Sequence, residues 1–431
     1  MARYIALFLG LSTCLALIYL VHSLRFHLLF LSAHQIDFIR HLVPQFSGLH
    51  SRTFRSNTAL IKSYEGSRKS FKKHIVAVGD LHGDLANARR VLQFSGVVDD
   101  EFNWSRNVDY FVQTGDIIDR GDDTIALFLW MERLRAQAIG NSSTMLSNLG
   151  NHEWMNMIGD WRYVYPTEIK TFGSIEARQR MLSSGRIGRA WAQNYTTTTR
   201  LPLHPSIGPP NTQYPPKDFQ FAKESGDELE HHLSLYRNHK VEPMSHAAIS
   251  FVHGGLAEDY ENLTPFPTKI NKLSKSLMRK LQYRKKQPTP HPPGTYPGWP
   301  ESATMEEINM YYTNGPLWYR GWAQLDEATA CKKVDNVLAR TGTRRMIMGH
   351  TPDFHNIVAR CKGKIIIIDT GISHAYGGVL SALSIDYELH PVGEDSEQRW
   401  VEREIVKAVY AERKEVLVAD EREIIGDFQV S

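Results

Sequence analysis

The stretch IVAVGDLHGD, residues 75–84, joins a short apolar run to a polar cluster that contains glycine. Similar runs, rich in valine, isoleucine or methionine, recur along the chain and end in polar clusters. Such runs predict buried strands, and the loops just past strand ends commonly carry functional side chains. The runs are Ile75–Val78, Val108–Val112, Ala247–Val252, Met346–Met348 and Ile365–Ile368.

Helical patterns follow the first two runs. Leu85–Phe94 and Thr124–Ala138 carry apolar residues at helical spacing, so the chain alternates strand, loop and helix. We therefore predict an α/β (α+β) fold. A length of 431 residues fits one large domain with appendages as well as it fits more than one domain.

The composition excludes several classes of protein. With 42% apolar and 23% charged residues, the chain is neither disordered nor a polytopic membrane protein. A formal net charge of +3 gives no reason to expect a nucleic-acid partner. A local basic cluster from Lys269 to Lys286 contains no acidic residue. Either a solvated helix face or a contact with an acidic substrate or lipid headgroups would explain this cluster.

The N-terminus carries an apolar run, Ile5–Val21, that is just long enough to span a membrane. We predict a single uncleaved transmembrane helix within residues 1–30, followed by a polar linker over residues 31–71. A cleaved signal peptide, which would give a secreted protein, is the alternative. Basic residues lie on both sides of the run and therefore set no clear orientation.

Potential N-glycosylation sites bear on the orientation of this segment. Their use would place the part of the chain after the apolar run in the secretory lumen or outside the cell, so that the protein would be a glycoprotein. Chance alone would supply about two such sites. The four sequons begin at Asn103, Asn141, Asn194 and Asn262.

Only three cysteines occur, and Cys14 lies within the apolar N-terminal run. The remaining two, Cys331 and Cys361, are too few for a disulfide-built scaffold and lack the spacing of a zinc site. One lumenal disulfide and two unpaired buried thiols are both compatible with the sequence.

Two stretches rich in proline and polar residues, near 196–245 and 265–316, interrupt the alternation. Proline pairs within them prevent regular structure locally. We expect surface insertions that act either as lid or substrate-selecting loops or as excursions without function. The final stretch, 401–431, alternates charged and apolar residues, and we expect a C-terminal extension that forms a hairpin or a helix.

The polar clusters carry residues suited to catalysis. Aspartate, asparagine and histidine without thiolate suit Mn, Fe or Zn. One carboxylate can bridge two ions about 3.5 to 4 Å apart, and such a pair supports in-line displacement at phosphorus. Together the clusters fix about twenty positions, so chance assembly is negligible. The clusters are GDLHGD at 79–84, GDIIDRG at 115–121, GNHE at 150–153, HGG at 253–255 and GHT at 349–351.

These clusters resemble the motifs of the metal-dependent phosphoprotein phosphatases, within the calcineurin-like phosphoesterase superfamily, over roughly residues 73–387. The resemblance implies a four-layer αββα sandwich with two mixed sheets, in a catalytic domain over residues 72–400. It also implies two divalent or trivalent metal ions as cofactors. The implied ligands are Asp80, His82 and Asp116 for the first ion, with Asp116 bridging, and Asn151, His253 and His350 for the second.

The same resemblance assigns the catalytic roles. His152 would be the general acid for the leaving oxygen, oriented by Asp119. Arg120 and Arg320, with Asn151, would bind the phosphoryl oxygens, a task that suits planar guanidinium groups. A water or hydroxide activated by the metal ions would attack phosphorus directly, without a phosphoenzyme.

Three later segments narrow the resemblance to one group of protein phosphatases. Residues 318–320, 348–352 and 369–378 are similar to the Shewanella-like, or bacterial-like, protein phosphatases. Pro352 stands where many phosphodiesterase relatives have a further histidine ligand, and the SAPNY-type loop of the animal enzymes is absent. The choice between phosphoserine or phosphothreonine and phosphotyrosine stays open.

We therefore predict a metal-dependent hydrolase of phosphate monoesters, acting on phosphoproteins from a membrane anchor. The alternative is a phosphodiesterase or phosphatase that acts on lipid or glycolipid headgroups, which the apolar N-terminus and the basic cluster favour. A scaffold without catalysis is a third hypothesis. The presence of every expected ligand and of the acid His152 argues against the scaffold.

Overall fold

The computed structural model describes residues 69–217, 244, 246–285, 287, 289–290, 298–312, 314–393 and 398–428. The described residues fall within one unit, Tyr64–Ser431. The expected membrane anchor, most of the polar linker and the central part of the first insertion lie outside the described residues. Within those ranges, no helix combines the length and the apolar character that a membrane crossing requires.

A seven-stranded mixed sheet contains the first and the last strand of the described chain. One half has four parallel strands: β1 (Phe71–Val78), β2 (Tyr110–Gln113), β3 (Thr144–Asn148) and β4 (Tyr195–Thr196). The other half is an antiparallel meander of β10 (Ser381–Pro391), β11 (Arg399–Tyr410) and β12 (Lys414–Ile425). The two halves join where β10 pairs antiparallel with β1.

The second sheet has five strands in the order β5-β6-β7-β9-β8. These strands are β5 (Thr198–Pro202), β6 (Ala248–Val252), β7 (Arg345–Met348), β8 (Val358–Arg360) and β9 (Ile365–Ile367). The central strands β6, β7 and β9 are parallel, and the edge strands β5 and β8 are antiparallel to their neighbours. Both sheets are therefore mixed, as the family resemblance implies.

Helices follow the parallel strands. The strands β1, β2 and β3 lead into α1 (Leu85–Phe94), α2 (Thr124–Gly140) and α3 (Asn151–Ile158). Three short helices precede β4: α4 (Pro166–Phe172), α5 (Ile175–Leu182) and α6 (Arg186–Asn194). The other described helices are α7 (Thr268–Gln282), α8 (Met305–Tyr311), α9 (Gly321–Gln324) and α10 (Glu327–Thr341).

The alternation of side chains along the strands separates two cores. Ile75 of β1 and Ile347 of β7 belong to one core, which lies between the sheets. Their neighbours Val76 and Met346 belong to the other core, which contains the apolar faces of the helices. Each sheet thus buries one face against the other sheet and the opposite face against helices.

The predicted strands and helices are confirmed, with small shifts at their ends. β2 begins at Tyr110 instead of Val108. α1 has the predicted bounds, because the side chain of Asp84 accepts a hydrogen bond from the N–H of Asn87 and so caps the helix. α2 continues past Ala138 to Gly140.

Both expected insertions contain elements of the core. β5 lies within 196–245 and is buried throughout. α7 lies within 265–316 and buries Ile270 and Leu277. Pro202 closes β5 and Pro267 precedes α7, so these two prolines end or precede regular elements without interrupting them. The proline content therefore overstated the irregular structure.

The basic cluster occupies the outer face of α7 and the residues after it. Lys269 and Lys280 pair with glutamates of α8, at 3.0 Å from Glu306 and 2.8 Å from Glu307. Three other cations of the helix are exposed: Lys272, Lys275 and Arg279. Lys286 lies outside the described residues.

The C-terminal stretch is integrated into the first sheet. It supplies most of β11 and all of β12, which form a hairpin paired along its length with β10. Trp400 and Val406 of β11 lie in the core between the sheets, while Arg403 points to solvent. The alternating pattern that marked this stretch is that of a strand with one buried face.

Cys331 of α10 and Cys361, in the turn between β8 and β9, form a disulfide. Of the two alternatives that the sequence left open, the structure therefore has the cross-link. Glu327 supports the same junction, because its Oε1 accepts a hydrogen bond from the N–H of Cys361 at 2.7 Å. The start of α10 is thereby attached to the second sheet.

Candidate active site

The loops after β1, β2, β3, β6 and β7 bring the polar clusters into contact. The N–H groups of Leu81 and His82 donate to the carbonyl of Asp116, at 3.0 and 2.9 Å. The N–H of Gly349 donates to the carbonyl of His253 at 2.9 Å. Because these strands are parallel within their sheets, their carboxyl ends meet and the clusters form one site.

Several expected site residues adopt a left-handed backbone conformation. This region disfavours residues with a Cβ atom by about 1 to 2 kcal/mol each, and such strain concentrates at functional sites. The conformation turns the chain sharply in the loops after β1, β2 and β7, so that side chains from these loops point inward. The residues are His82, Asp116, Asp119, Arg120 and His350, with φ from 42° to 68°.

Glu153 maintains the strained turn at Asp116. Its Oε2 accepts from the N–H of Asp116 at 2.9 Å and of Gly150 at 2.6 Å, and its Oε1 accepts from Ile117 at 2.9 Å. Gly150 is required here because a Cβ atom would lie 2.1 Å from Oδ1 of Asp116. The loops after β2 and β3 are therefore fixed against each other.

His82, Asp80 and Asp116 form the first group of candidate metal ligands. Nδ1 of His82 lies 3.0 Å from the carbonyl oxygen of Ile118, so this nitrogen carries the hydrogen. Burial lowers the pKa of His82 to about 3, and the ring is neutral. Its bare Nε2 faces Oδ2 of Asp80 at 3.9 Å and Oδ2 of Asp116 at 3.8 Å. Burial first, then the charges of Asp369 and Asp116, raises the pKa of Asp80 well above its usual range. A bound cation would relieve this repulsion, so the three groups fit a metal site.

Asn151, His253 and His350 form the second group. Nδ1 of His253 lies 3.1 Å from the carbonyl of Thr114, and Nε2 lies 2.7 Å from Oδ1 of Asn151. Nε2 of His350 is buried, and no described residue offers it a hydrogen bond. Burial first, then the nearby His253 and Arg320, holds the pKa of this ring well below its usual range. A neutral imidazole nitrogen with no protein partner is the form that binds a metal.

Asp116 belongs to both groups. Its carboxylate lies together with His82 on one side and with His253 and His350 on the other, with ligand atoms within 4.8 Å of one another in each group. The donor set contains carboxylate, amide and imidazole groups only. These residues therefore fit two metal ions that share Asp116.

His152 lies beside this centre but differs from the neutral histidines. Its Nδ1 is 2.8 Å from Oδ2 of Asp119, and its Nε2 is 3.8 Å from Oδ2 of Asp116. Burial alone would lower the pKa of His152, but the two carboxylates outweigh burial and raise it. Nε2 of His152 is also close enough to His82 and Asp116 to be a metal ligand. The raised pKa instead suits a group that holds and donates a proton.

Arg120 and Arg320 flank the site. The guanidinium of Arg120 lies between two rings, 4.2 Å from the centroid of Tyr163 and 5.0 Å from that of Tyr376. Arg320 donates from Nη1 to the carbonyl of His350 at 2.8 Å and to Oγ1 of Thr351 at 3.0 Å. Among the described residues no carboxylate pairs with either guanidinium, so both can bind an anion.

The structure thus brings together every residue expected at the site. Sequence reasoning missed other residues that shape it, among them Tyr163, Tyr376, Asn156, Glu168 and Arg178. Tyr376 lies in the segment 369–378 that carries part of the family resemblance, but no role was assigned to it, and the other four belong to no recognisable motif. Helices α4 and α5, which carry Glu168 and Arg178, gave no sign of function in the sequence.

Comparison with known proteins agrees with this geometry. Residues 73–354 match the family model described as calcineurin-like phosphoesterase. The chain belongs to the calcineurin-like phosphoesterase family. This phosphoesterase is therefore a hydrolase, and the donor set above fits the dinuclear metal centre of its family.

Relatives of this phosphoesterase occur in distant eukaryotes. An uncharacterized protein of Schizosaccharomyces pombe is 33% identical over 319 residues, which are 72% of this chain and 76% of that protein. Shewanella-like protein phosphatase 2 of Arabidopsis thaliana is 25% identical, with 70% and 72% of the two chains covered. Shewanella-like protein phosphatase 1 of Plasmodium berghei is 24% identical, with 69% and 67% covered.

A solved structure shares the fold. The cold-active protein-tyrosine phosphatase of a psychrophilic Shewanella species superposes with a TM-score of 0.54 at 21% sequence identity, covering 80% of each chain. The phosphoesterase therefore has the α/β architecture with two mixed sheets that its sequence motifs predict.

Proposed function

We propose that this phosphoesterase hydrolyses phosphate monoesters on phosphoproteins. The observation that carries the proposal is the contact between His152 and Asp119 beside the shared carboxylate of Asp116. This contact supports the role of His152 as a proton donor beside a centre that fits two cations. The relatives named as protein phosphatases support the substrate class.

The two cations, for which the donor set suits Mn, Fe or Zn, would activate water and stabilise charge on the phosphoryl group. The chain itself supplies the remaining parts. His152 donates a proton from Nε2 to the leaving oxygen, and Asp119 keeps the ring oriented. Arg120 and Arg320, with Asn151, bind the phosphoryl oxygens. The two guanidinium groups match the doubly charged monoester better than a singly charged diester.

An enzyme that acts on lipid headgroups is the second candidate. The exposed cations Lys272, Lys275 and Arg279 lie along one face of α7, and a basic face is attracted to anionic membranes. The N-terminal apolar run would hold the enzyme at such a surface.

The test uses the full-length chain loaded with Mn and measures phosphate release from monoesters and phenol release from a diester, because cleavage of a bis-aryl diester yields a phenol and a monoester. Matched phosphoserine, phosphothreonine and phosphotyrosine peptides would be compared with a bis-aryl phosphodiester and with vesicles containing phosphatidic acid. We expect release from the peptides and its loss in Asp80→Asn. The peptides also decide the preferred residue class, while hydrolysis confined to the diester or the vesicles would favour the headgroup enzyme.

We also propose that the catalytic body faces an oxidising compartment, the secretory lumen or the cell exterior. The disulfide between Cys331 and Cys361 supports this location, because reducing compartments keep thiols free. Of the sequon asparagines, Asn194 is exposed, whereas Asn262 is buried and so closed to modification in the folded protein. We expect the peptide that contains Asn194 to lose mass after glycosidase treatment. We also expect both cysteines to resist alkylation in native extracts. Free thiols and no glycan would place the body in the cytosol.

A further inference from the structure

Arg178 is a fully buried arginine that reaches the catalytic residues from a separate helix. It lies on α5 with 0% exposure, and its guanidinium carbon is 4.4 Å from the ring centroid of Trp161. Nη2 donates to Oε2 of Glu168 at 3.0 Å and to Oδ1 of Asp119 at 3.2 Å. Nη1 donates to Oδ1 of Asn156 at 2.6 Å.

Asn156 closes the network around Asp119. Its Nδ2 donates to Oδ1 and Oδ2 of Asp119, at 2.9 and 2.8 Å, and to the carbonyl of His152 at 2.9 Å. Each oxygen of Asp119 therefore has two neighbours, with Arg178 on Oδ1 and His152 on Oδ2. A carboxylate held in this way has one orientation, and the imidazole ring bonded to it has one as well.

The contacts of Arg178 exceed what neutralising its charge requires. The carboxylate of Glu168 alone would balance the charge of the guanidinium. Two of the three hydrogen bonds of Arg178 nevertheless go to Asp119 and Asn156. Burial raises the pKa of Glu168 to about 7, with Arg178 acting in the opposite direction. Asp119 is held in the charged form by the hydrogen bond from His152 and by the charges of His152 and Arg178, which together outweigh its burial and lower its pKa.

We propose that Arg178 is a positioning residue for His152. It fixes Asp119 and Asn156, so that the ring keeps Nε2 toward the metal site. Oγ1 of Thr124 donates to Oε1 of Glu168 at 2.5 Å. Through these two residues the network connects His152 to α4 and α2. The inference rests on the proposed function in that it takes His152 as the proton donor.

The first test uses the leaving group. Proton donation matters most for a serine phosphate, whose alkoxide is a poor leaving group, and least for p-nitrophenyl phosphate. In the full-length enzyme, Arg178→Met should lower kcat for a phosphoserine peptide by about 10- to 100-fold, a part of the general-acid effect, and for p-nitrophenyl phosphate by less than about 3-fold. Equal losses on both esters would overturn the proposal.

Two further variants separate positioning from folding. Arg178→Met combined with Glu168→Gln avoids leaving a buried carboxylate unpaired, and should show the same difference between the two esters. Arg200→Met removes another buried arginine, which donates to the carbonyls of Thr341 and Gly342. This control should lower thermal stability while leaving the ratio of the two rates unchanged. A changed ratio would contradict a specific role for Arg178.

A measurement without substrate keeps the outcome independent of the phosphatase proposal. In protein labelled with ¹⁵N-histidine, the Nδ1 proton of His152 should give a slowly exchanging resonance that is absent from His152→Asn. Arg178→Met should shift or broaden it, and Arg200→Met should not. If the wild type cleaves no monoester, the proposed function fails and this resonance still decides the role of Arg178. An unchanged resonance would refute that role.

Discussion

Oδ2 of Asp116 lies 3.2 Å from Nε2 of His253, whose Nδ1 faces the carbonyl oxygen of Thr114. Nε2 of His82 lies 3.8 Å from the same oxygen. One carboxylate oxygen therefore faces a ring nitrogen from each group of candidate ligands, which is the arrangement of a carboxylate that two metal ions share. Asp116 is therefore the residue whose substitution best tests whether two metal ions share one ligand.

Asp116→Asn should therefore weaken both metal ions together, because the amide removes the negative charge that they share. We expect fewer than one bound metal per chain after dialysis, measured by plasma mass spectrometry. Asp386→Asn, on β10 and paired with Lys407, is the matched control and should keep the wild-type metal content. Two bound metals in Asp116→Asn would contradict the bridging role.

His152→Asn should lower kcat by about 100- to 10,000-fold, since protonation of the leaving group is lost while the metal ligands remain. Steady-state rates on a phosphoserine peptide and metal analysis of the same sample measure both effects. Normal turnover in this variant would refute the assignment of the acid.

The pH profile should report the environment of His152. A general acid must be protonated, so kcat should fall as the pH rises through the pKa of His152. Because that pKa is raised, the fall should lie above the ordinary value of 6.5. Asp119→Asn removes a charge that raises the pKa, so the basic limb should move to lower pH. Profiles over roughly pH 5 to 10 test this, and a limb that stays in place would show that another group controls it.

Arg120→Met should reduce substrate affinity. Charge-assisted hydrogen bonds to a phosphoryl group contribute roughly 1.5 to 3 kcal/mol each, so kcat/KM should fall by about 10- to 150-fold. Inhibition by inorganic phosphate should weaken in parallel. Arg162→Met, at an exposed arginine two residues beyond Asp160, is a nearby control for loss of positive charge. Unchanged phosphate affinity in Arg120→Met would exclude a direct contact.

Removing the disulfide should destabilise the fold. It closes a loop with a sequence separation of 30 residues, for which loop entropy gives about 3 to 4 kcal/mol. The double variant Cys331→Ser/Cys361→Ser should unfold at lower urea concentration than the wild type, and Cys14→Ser should not. Identical unfolding curves would mean that the cross-link is absent from the native protein.

The residues of the metal site could be predicted because each lies directly after a strand, where a local pattern of apolar run, glycine and ligand is visible. Arg178 could not be predicted in this way. It shares the segment IEARQRML with Arg180, and the two arginines have the same local pattern. Only the packing of α5 against α3 buries the first and leaves the second exposed.

Elsewhere the structure depends on interactions between distant segments, which could not be predicted from the sequence. The bond between Cys331 and Cys361 depends on how α10 lies against the β8–β9 turn, which residue spacing does not encode. Likewise, the charged and apolar pattern after Arg399 indicated a strand or a helix, and the choice was made by pairing with β10. Local sequence patterns therefore predicted where strands and helices form better than they predicted which segments contact one another.

The pairing of β1 with β10 has a consequence for biosynthesis. Ile75 pairs with Ile385, 385 − 75 = 310 positions later. A ribosome adding about 5 to 20 residues per second reaches β10 roughly 15 to 60 seconds after β1. Throughout that interval the nascent chain lacks the strand that pairs with this edge of β1. Closure of the sheet must therefore wait for the synthesis of β10, and a product that ends before Ser381 leaves the edge without this partner.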